Sequence, residues 1–196
     1  MTKPGSLAYR NAEEEIRKGH PPKKYTRLLP YITGDRILEI GSAEGVLALT
    51  FCHEKKPSSY IALELREDRH ENAVKLKTQW EALNKNVGAV TLKVGDIRDN
   101  LELFDSVDTV VFIRSIYYLR EDIDRVMLEA YKRGVKRVVL CGNKNRAAQS
   151  MNDPMSDEGI FNKPASEQGM MEILVRAGYN PTRHLLIDDP VVTGCR

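Results

Sequence analysis

Residues 37–45, ILEIGSAEG, decide how this chain is read. Ile37, Leu38 and Ile40 are the branched apolar residues of a buried strand, interrupted by one acid, Glu39. Gly41 and Gly45 follow, with only Ser42, Ala43 and Glu44 between them. A strand that runs through a glycine turn into a helix lets backbone approach a ligand closely and aims free helix N–H groups at it. The order here is Gly41, Ala43, Gly45, so the G-x-G-x-x-G dinucleotide fingerprint is incomplete. Glu39 would repel a pyrophosphate and suits a ligand with a cationic end. Ala43 fits the turn if its φ stays negative.

Outward from that turn, strands and helices alternate. RILEIG (36–41) is followed by a helix over 46–54, and SYIALEL (59–65) by a long amphipathic helix over 67–83 with Ala73, Leu76, Trp80 and Leu83 on its apolar stripe. VTLKVGD (90–96), VDTVVFIR (107–114) and RVVLCGN (137–143) are three further strands, the last two separated by a helix closed at Gly134. Strand–helix alternation of this kind means right-handed crossovers and a mostly parallel sheet. VVFI and RVVL are unbroken apolar runs, as strands covered on both faces require. A helix over 166–177 starts at Ser166 and ends at Gly178, and HLLID and VVTGCR, joined by an Asp-Pro turn, read as an antiparallel hairpin. The expected fold is a doubly wound, mostly parallel α/β sheet of seven strands, with helices on both faces and an antiparallel strand at the C-terminal end.

The strand ends carry acids. Glu64 closes the second strand, where a carboxylate can accept hydrogen bonds from both hydroxyls of a ribose. Asp96 follows the third, placed to accept from an exocyclic amine, or else to act as a turn residue. Glycine turn and acids at the carboxyl ends of successive strands describe a nucleoside with a positively charged appendage, bound in the crevice that open α/β sheets use. ILEIGSAEG, the ALEL ending and VGDI resemble the first three signature motifs of the class I S-adenosylmethionine-dependent methyltransferases, a likeness that spans roughly residues 25–196. The resemblance implies S-adenosylmethionine as cofactor. Glu39, Gly41, Ser42, Ala43 and Gly45 would face its methionine part, Glu64 and Leu65 its ribose side, and Asp96 with Ile97 its adenine ring. FIRSIYYL (112–119) resembles the family's fourth strand and the loop that lines methionine part and acceptor, which brings in Arg114. It implies acceptor contacts from Ser115, Tyr117, Tyr118 and, past the fifth strand, Asn143. Ala43 departs from the family, which more often has glycine there.

The whole chain of 196 residues is read as a single domain: a helical N-terminal cover (1–35), a cofactor-binding core (36–143), a substrate or lid loop (144–165) and a C-terminal helix and hairpin (166–196). A helix over 23–32 is expected in the cover, from the spacing of Tyr25, Leu28, Leu29 and Ile32. With His20, Lys23 and Lys24 it is either a lid on the cofactor or a solvated basic helix. Residues 144–165 show no clean period, as binding loops and lids often do, and Met151, Met155 and Phe161 offer an apolar lid face or loop anchors.

Thirty Lys and Arg against 28 Asp and Glu leave a formal charge of +2, which argues against bulk binding to nucleic acid or to a membrane surface. Cys52, Cys141 and Cys195 lack metal-ligand spacing and read as free thiols of a cytoplasmic protein, with no metal site. No run approaches the roughly 20 apolar residues of a membrane span.

Methyl transfer from a sulfonium is an in-line displacement, so positioning dominates and a general base is needed only if the acceptor must lose a proton. No D/N-P-P-aromatic motif and no Pro-Cys follow the fourth strand, which removes the usual routes to adenine or glutamine nitrogen and to cytosine C5. No catalytic residue is identified. Arg114 would suit an anionic acceptor, or would pair with an acid such as Glu121. Three readings stay open: a methyltransferase for a small-molecule hydroxyl, carboxyl or amine, which is favoured; an RNA or protein methyltransferase using the basic segment 17–27; and a non-catalytic cofactor-binding domain of the same fold.

Overall fold

The computed structural model describes residues 14–152, 162–184 and 189–196. Seven strands form one sheet: β1 (Arg36–Ile40), β2 (Ser59–Glu64), β3 (Val90–Val94), β4 (Thr109–Ile113), β5 (Arg137–Cys141), β6 (Asn180–His184) and β7 (Val191–Cys195). Their order is β3-β2-β1-β4-β5-β7-β6, with β1 to β5 parallel and β7 antiparallel to both neighbours. The chain winds outward in both directions from the β1–β4 pair. That pair is the topological switch point, where the carboxyl ends of neighbouring strands open a crevice.

Among the described residues α1 (Val46–Lys55), α2 (Glu67–Ala82), α3 (Ile123–Lys132) and α5 (Glu167–Ala177) cover the sheet, and α4 (Lys144–Asn152) follows β5. Alternation along the strands sorts the core into two layers. Leu38, Ile40, Leu63, Val110, Phe112, Val138 and Leu140 pack with Met127, Ala130, Met170 and Leu174 of α3 and α5. Ile37, Tyr60, Ala62, Val111 and Val139 pack on the other face with Leu47, Phe51, Leu76 and Trp80 of α1 and α2. Both faces are therefore buried, which is why the central strands read as continuous apolar runs. Trp80 is core as its stripe demands, and its indole N–H donates to the Ile16 carbonyl at 2.8 Å, tying down the N-terminal segment. Leu83, at the end of the stripe, lies past the helix and is exposed.

Three elements differ from the sequence reading. The helix expected over 23–32 is a single turn, Lys23–Thr26, followed by hydrogen-bonded turns. Pro30 supplies no N–H and disfavours helical geometry just before it. Leu28, Leu29 and Ile32 are nevertheless buried, as their spacing anticipates. The strand expected at HLLID is instead Asn180–His184, paired from Asn180↔Cys195 to His184↔Val191. It contains Pro181, acceptable because β6 is the outermost strand and one side of its ladder is unpaired. Residues 185–188 of the expected strand lie outside the described residues. The third difference is α4, where no period was visible. Asn143 caps it, its side-chain oxygen accepting from the Asn145 and Arg146 amides at 3.1 and 3.3 Å. Met155 and Phe161 lie outside the described residues, while Met151 falls within α4.

Candidate functional site

The glycine turn sits at the carboxyl end of β1. Gly41 has φ +76° and its amide donates to the Leu63 carbonyl at 2.8 Å, joined by the Ser42 amide at 3.1 Å. A β-carbon at Gly41 would stand 2.7 Å from that of Ser115, so only glycine fits. Gly45 has φ +70° and precedes the first turn of α1, which has neither a side-chain cap nor an acidic residue. The leading N–H groups of that helix are therefore not met by its own side chains. Ala43 lies in the left-handed region at φ +50°, contrary to the expectation of a negative value. Its amide is held there by Glu64 Oε2 at 2.7 Å.

Glu64 is the keystone of this region. It is buried, and its second oxygen accepts from the Arg66 amide at 3.0 Å. Two backbone bonds fix the carboxylate, and each oxygen keeps lone-pair capacity toward the crevice. Next to it Leu65 is 61% exposed, a large apolar side chain at a strand end. Asp96 caps a short 3₁₀ turn, accepting from the Arg98 amide at 2.9 Å, and both its oxygens also bond the Arg98 guanidinium. That pairing holds its carboxyl below the usual range. The turn-residue alternative thus describes what Asp96 does here, with the adenine contact left to whatever capacity remains. Ile97 is buried in the layer of α3 and α5, which leaves little of it to offer an adenine ring.

Glu39 is only 2% exposed and points into the layer of α1, where Tyr60 donates its hydroxyl to Oε2 at 3.1 Å. Burial raises its pKa to about 8, with Glu64 adding to the rise. A carboxyl so placed is mostly protonated at neutral pH, so the charged partner of a cationic ligand, as read from the sequence, is not what Glu39 presents.

Two residues assigned to cofactor or acceptor are structural. Ser115 is buried and its hydroxyl donates to the Ile40 carbonyl at 2.6 Å, propping the glycine turn from beneath. Arg114, itself at φ +56°, bonds Asp189 through Nε at 2.8 Å and again through a terminal nitrogen. The expected acid, Glu121, is not its partner; the Asp189 carboxylate already neutralises the guanidinium. Asp189 also accepts from the Lys144 amide at 3.1 Å, joining the end of β4, the approach to β7 and the start of α4.

Tyr117, Tyr118 and Asn143 do come together. The tyrosine rings lie 4.7 Å apart, Asn143 reaches the Tyr117 hydroxyl at 3.5 Å, and burial pushes the Tyr117 phenol above its usual pKa. Arg146, not singled out from the sequence, lies over both rings at 4.6 and 5.2 Å. Nothing in its local sequence marks it; the signal was Asn143 as an N-cap, which starts a helix and turns residue 146 toward the loop after β4. Lys24 and Tyr25, from the segment before β1, lie within electrostatic reach of Glu44 and Arg114. Burial and then Arg114 lower the Lys24 pKa, while burial, Glu39 and Glu44 raise that of Tyr25.

No family model matches the chain, and no curated protein matches its sequence. Solved structures resemble its fold. The cofactor-bound Rv0187 of MTB superposes with a TM-score of 0.66 at 15% identity, covering 99% of this chain and 92% of that one. The O-methyltransferase TomG from Streptomyces achromogenes, in complex with SAM, gives 0.64 at 17% over 97% and 89%. Magnesium protoporphyrin IX methyltransferase from Synechocystis, with bound SAM, gives 0.60 at 14% over 98% and 86%. At these identities the likeness is one of fold. The chain has the Rossmann-like methyltransferase fold, closing antiparallel strand included. Among the described residues no helix is long and apolar enough to cross a membrane, and no group of His, Cys, Asp and Glu could hold a metal ion.

Proposed function

We propose that this protein is an S-adenosylmethionine-dependent methyltransferase that methylates an oxygen of a small molecule. One observation carries the reading: the glycine turn and Glu64 are locked together at the switch point, beside an exposed apolar side chain. The fit to the cofactor is specific. The uncapped first turn of α1 suits the carboxylate of a methionine moiety, Glu64 a ribose diol, and Leu65 the face of a purine. Bound there, the cofactor would supply an electrophilic methyl carbon, with sulfur as the leaving group. The chain's part is orientation. Tyr117, Tyr118, Asn143 and the start of α4 form the acceptor side. Tyr117 holds its own proton more firmly than usual and does not serve as a base, so the reading favours an acceptor whose hydroxyl has already lost its proton to solvent. Similar folds that are O-methyltransferases, one with bound SAM, support oxygen as the target. The near-neutral charge favours small molecules over RNA or protein, and the free thiols fit a cytoplasmic setting.

Isothermal titration with S-adenosylmethionine, S-adenosylhomocysteine and NAD tests the reading. The expected result is one site for the first two and none for NAD. Glu64→Ala should weaken S-adenosylhomocysteine at least about tenfold, since charge-assisted bonds contribute roughly 1.5–3 kcal/mol each. Binding of NAD alone, or unchanged affinity in Glu64→Ala, would contradict it.

A further inference from the structure

The acceptor side has lost the cation that the sequence offered and gained another. Arg114 is committed to Asp189. Arg146 is held differently: one terminal nitrogen donates to Asn162 Oδ1 at 2.8 Å, and the other makes only a long contact of 3.5 Å to the Tyr118 hydroxyl. Asn162 is itself buried, so its oxygen is a fixed anchor. The guanidinium lies over the rings of Tyr117 and Tyr118, and no carboxylate pairs with it among the described residues. A guanidinium has five N–H donors in a rigid plane. Among the described residues Asn162 and Tyr118 take two, leaving Nε and one donor on each terminal nitrogen for a ligand.

Its location gives that capacity meaning. Ser115, in contact with Gly41, receives the Tyr118 amide on its carbonyl at 3.0 Å, so the tyrosine pair stands one tight turn from the glycine turn. Asn143 fixes both ends of the arrangement, capping α4 while touching Tyr117. Tyr118 is 62% exposed, a flat face beside a cation. An exposed aromatic face and a planar guanidinium together accept a flat ring that ends in an oxyanion.

Resting on the methyltransferase reading, we propose that Arg146 recognises an oxyanion of the acceptor, and that the acceptor is a flat hydroxylated small molecule bearing a carboxylate or a phosphate. Asn162 and Tyr117 position the guanidinium, and Tyr118 stacks on the ring.

The test uses the full chain saturated with S-adenosylhomocysteine, titrated with hydroxybenzoate, hydroxybenzamide and phenyl phosphate, and separately with a short oligouridylate. Hydroxybenzoate or phenyl phosphate should bind at least about tenfold tighter than the neutral amide, and whichever is tighter identifies the oxyanion. Arg146→Gln should erase that preference without altering affinity for the amide or for S-adenosylhomocysteine, which also reports that the variant is folded. Arg146→Lys, which keeps the charge but not the planar fork, should restore part of it. The proposal is overturned if neither anion outbinds the amide at millimolar concentration, if Arg146→Gln keeps the preference, or if only the oligouridylate binds with a steep salt dependence. If S-adenosylhomocysteine itself does not bind, the methyltransferase reading fails, yet the anion titrations still report on Arg146, so the two ideas fail separately.

Discussion

The carboxyl ends of β1 and β2 and those of β4 and β5 border the same crevice but are built by different means. On the first side every donor is a backbone amide: Gly41 and Ser42 to the Leu63 carbonyl, Ala43 to Glu64, Arg66 to Glu64. On the second, the donors are long side chains. Arg114 meets Asp189 across 75 positions, and Arg146 lies over Tyr117 and Tyr118 while bonding Asn162. Backbone bonds with a buried carboxylate give one geometry, as a common cofactor requires. Long side chains at the rim can be exchanged singly, as a varying acceptor requires. On the proposed function, the constant ligand is met by main chain and the variable one by side chains on its rim.

The sharpest way to break this contrast is at Gly41. Gly41→Val forces a branched side chain at φ +76° against Ser115, and should cost about 3 kcal/mol or more in urea denaturation. Parent-like stability would mean the turn is looser than described.

Glu39 tests the same side through pH. Its folded pKa of about 8 lies above the ordinary 4.5, so the native state holds a proton that the unfolded chain has released between those values. Its stabilising share is complete below pH about 4.5, declines as pH rises, and is gone above about 8. Glu39→Gln keeps an acceptor for Tyr60 and cannot ionise. The stability difference between variant and parent should widen in the variant's favour by a few kcal/mol on going from pH 5 to 8.5, an order-of-magnitude figure. A difference independent of pH would contradict the buried carboxyl.

Asp189→Ala probes the acceptor side. Arg114 is more than a third exposed, so solvent screens the pair, and the expected loss is about 1 kcal/mol with S-adenosylhomocysteine affinity unchanged within about twofold. Amide exchange at Lys144 should quicken, because its acceptor is gone. A large fall in cofactor affinity would show the two sides to be coupled rather than separate.

The smallest effect is expected at Ala43. Ala43→Gly relieves a left-handed alanine and should raise stability by up to about 1 kcal/mol, seen as a small rise in Tm. A loss would mean that the alanine methyl packs usefully in the turn.

The same contrast separates what was legible in the sequence from what was not. The sheet, its switch point and both core layers follow from apolar runs and glycine positions, which local physics controls. Gly41 and Gly45 were legible as turn residues because a positive φ restricts what can stand there. Glu39 and Ser115 were misread because burial direction depends on which face of the sheet a residue takes and on what lies beneath the turn. Arg114 was assigned to ligand because its partner, Asp189, arrives from the other end of the chain. Arg146 was invisible because stacking on two tyrosines leaves no periodic trace, and α4 because one asparagine cap outweighed a weak pattern.

The central claim is that the cofactor lies over the β1–β3 ends, against the glycine turn. Amide chemical-shift mapping of the isotope-labelled protein with S-adenosylhomocysteine tests it most directly. The account predicts the largest shifts at the amides of Gly41 to Gly45, Leu65 and Ile97, with those of Asn180 to His184 unmoved. Shifts centred on β6 and β7, or no shifts at saturating ligand, would contradict it.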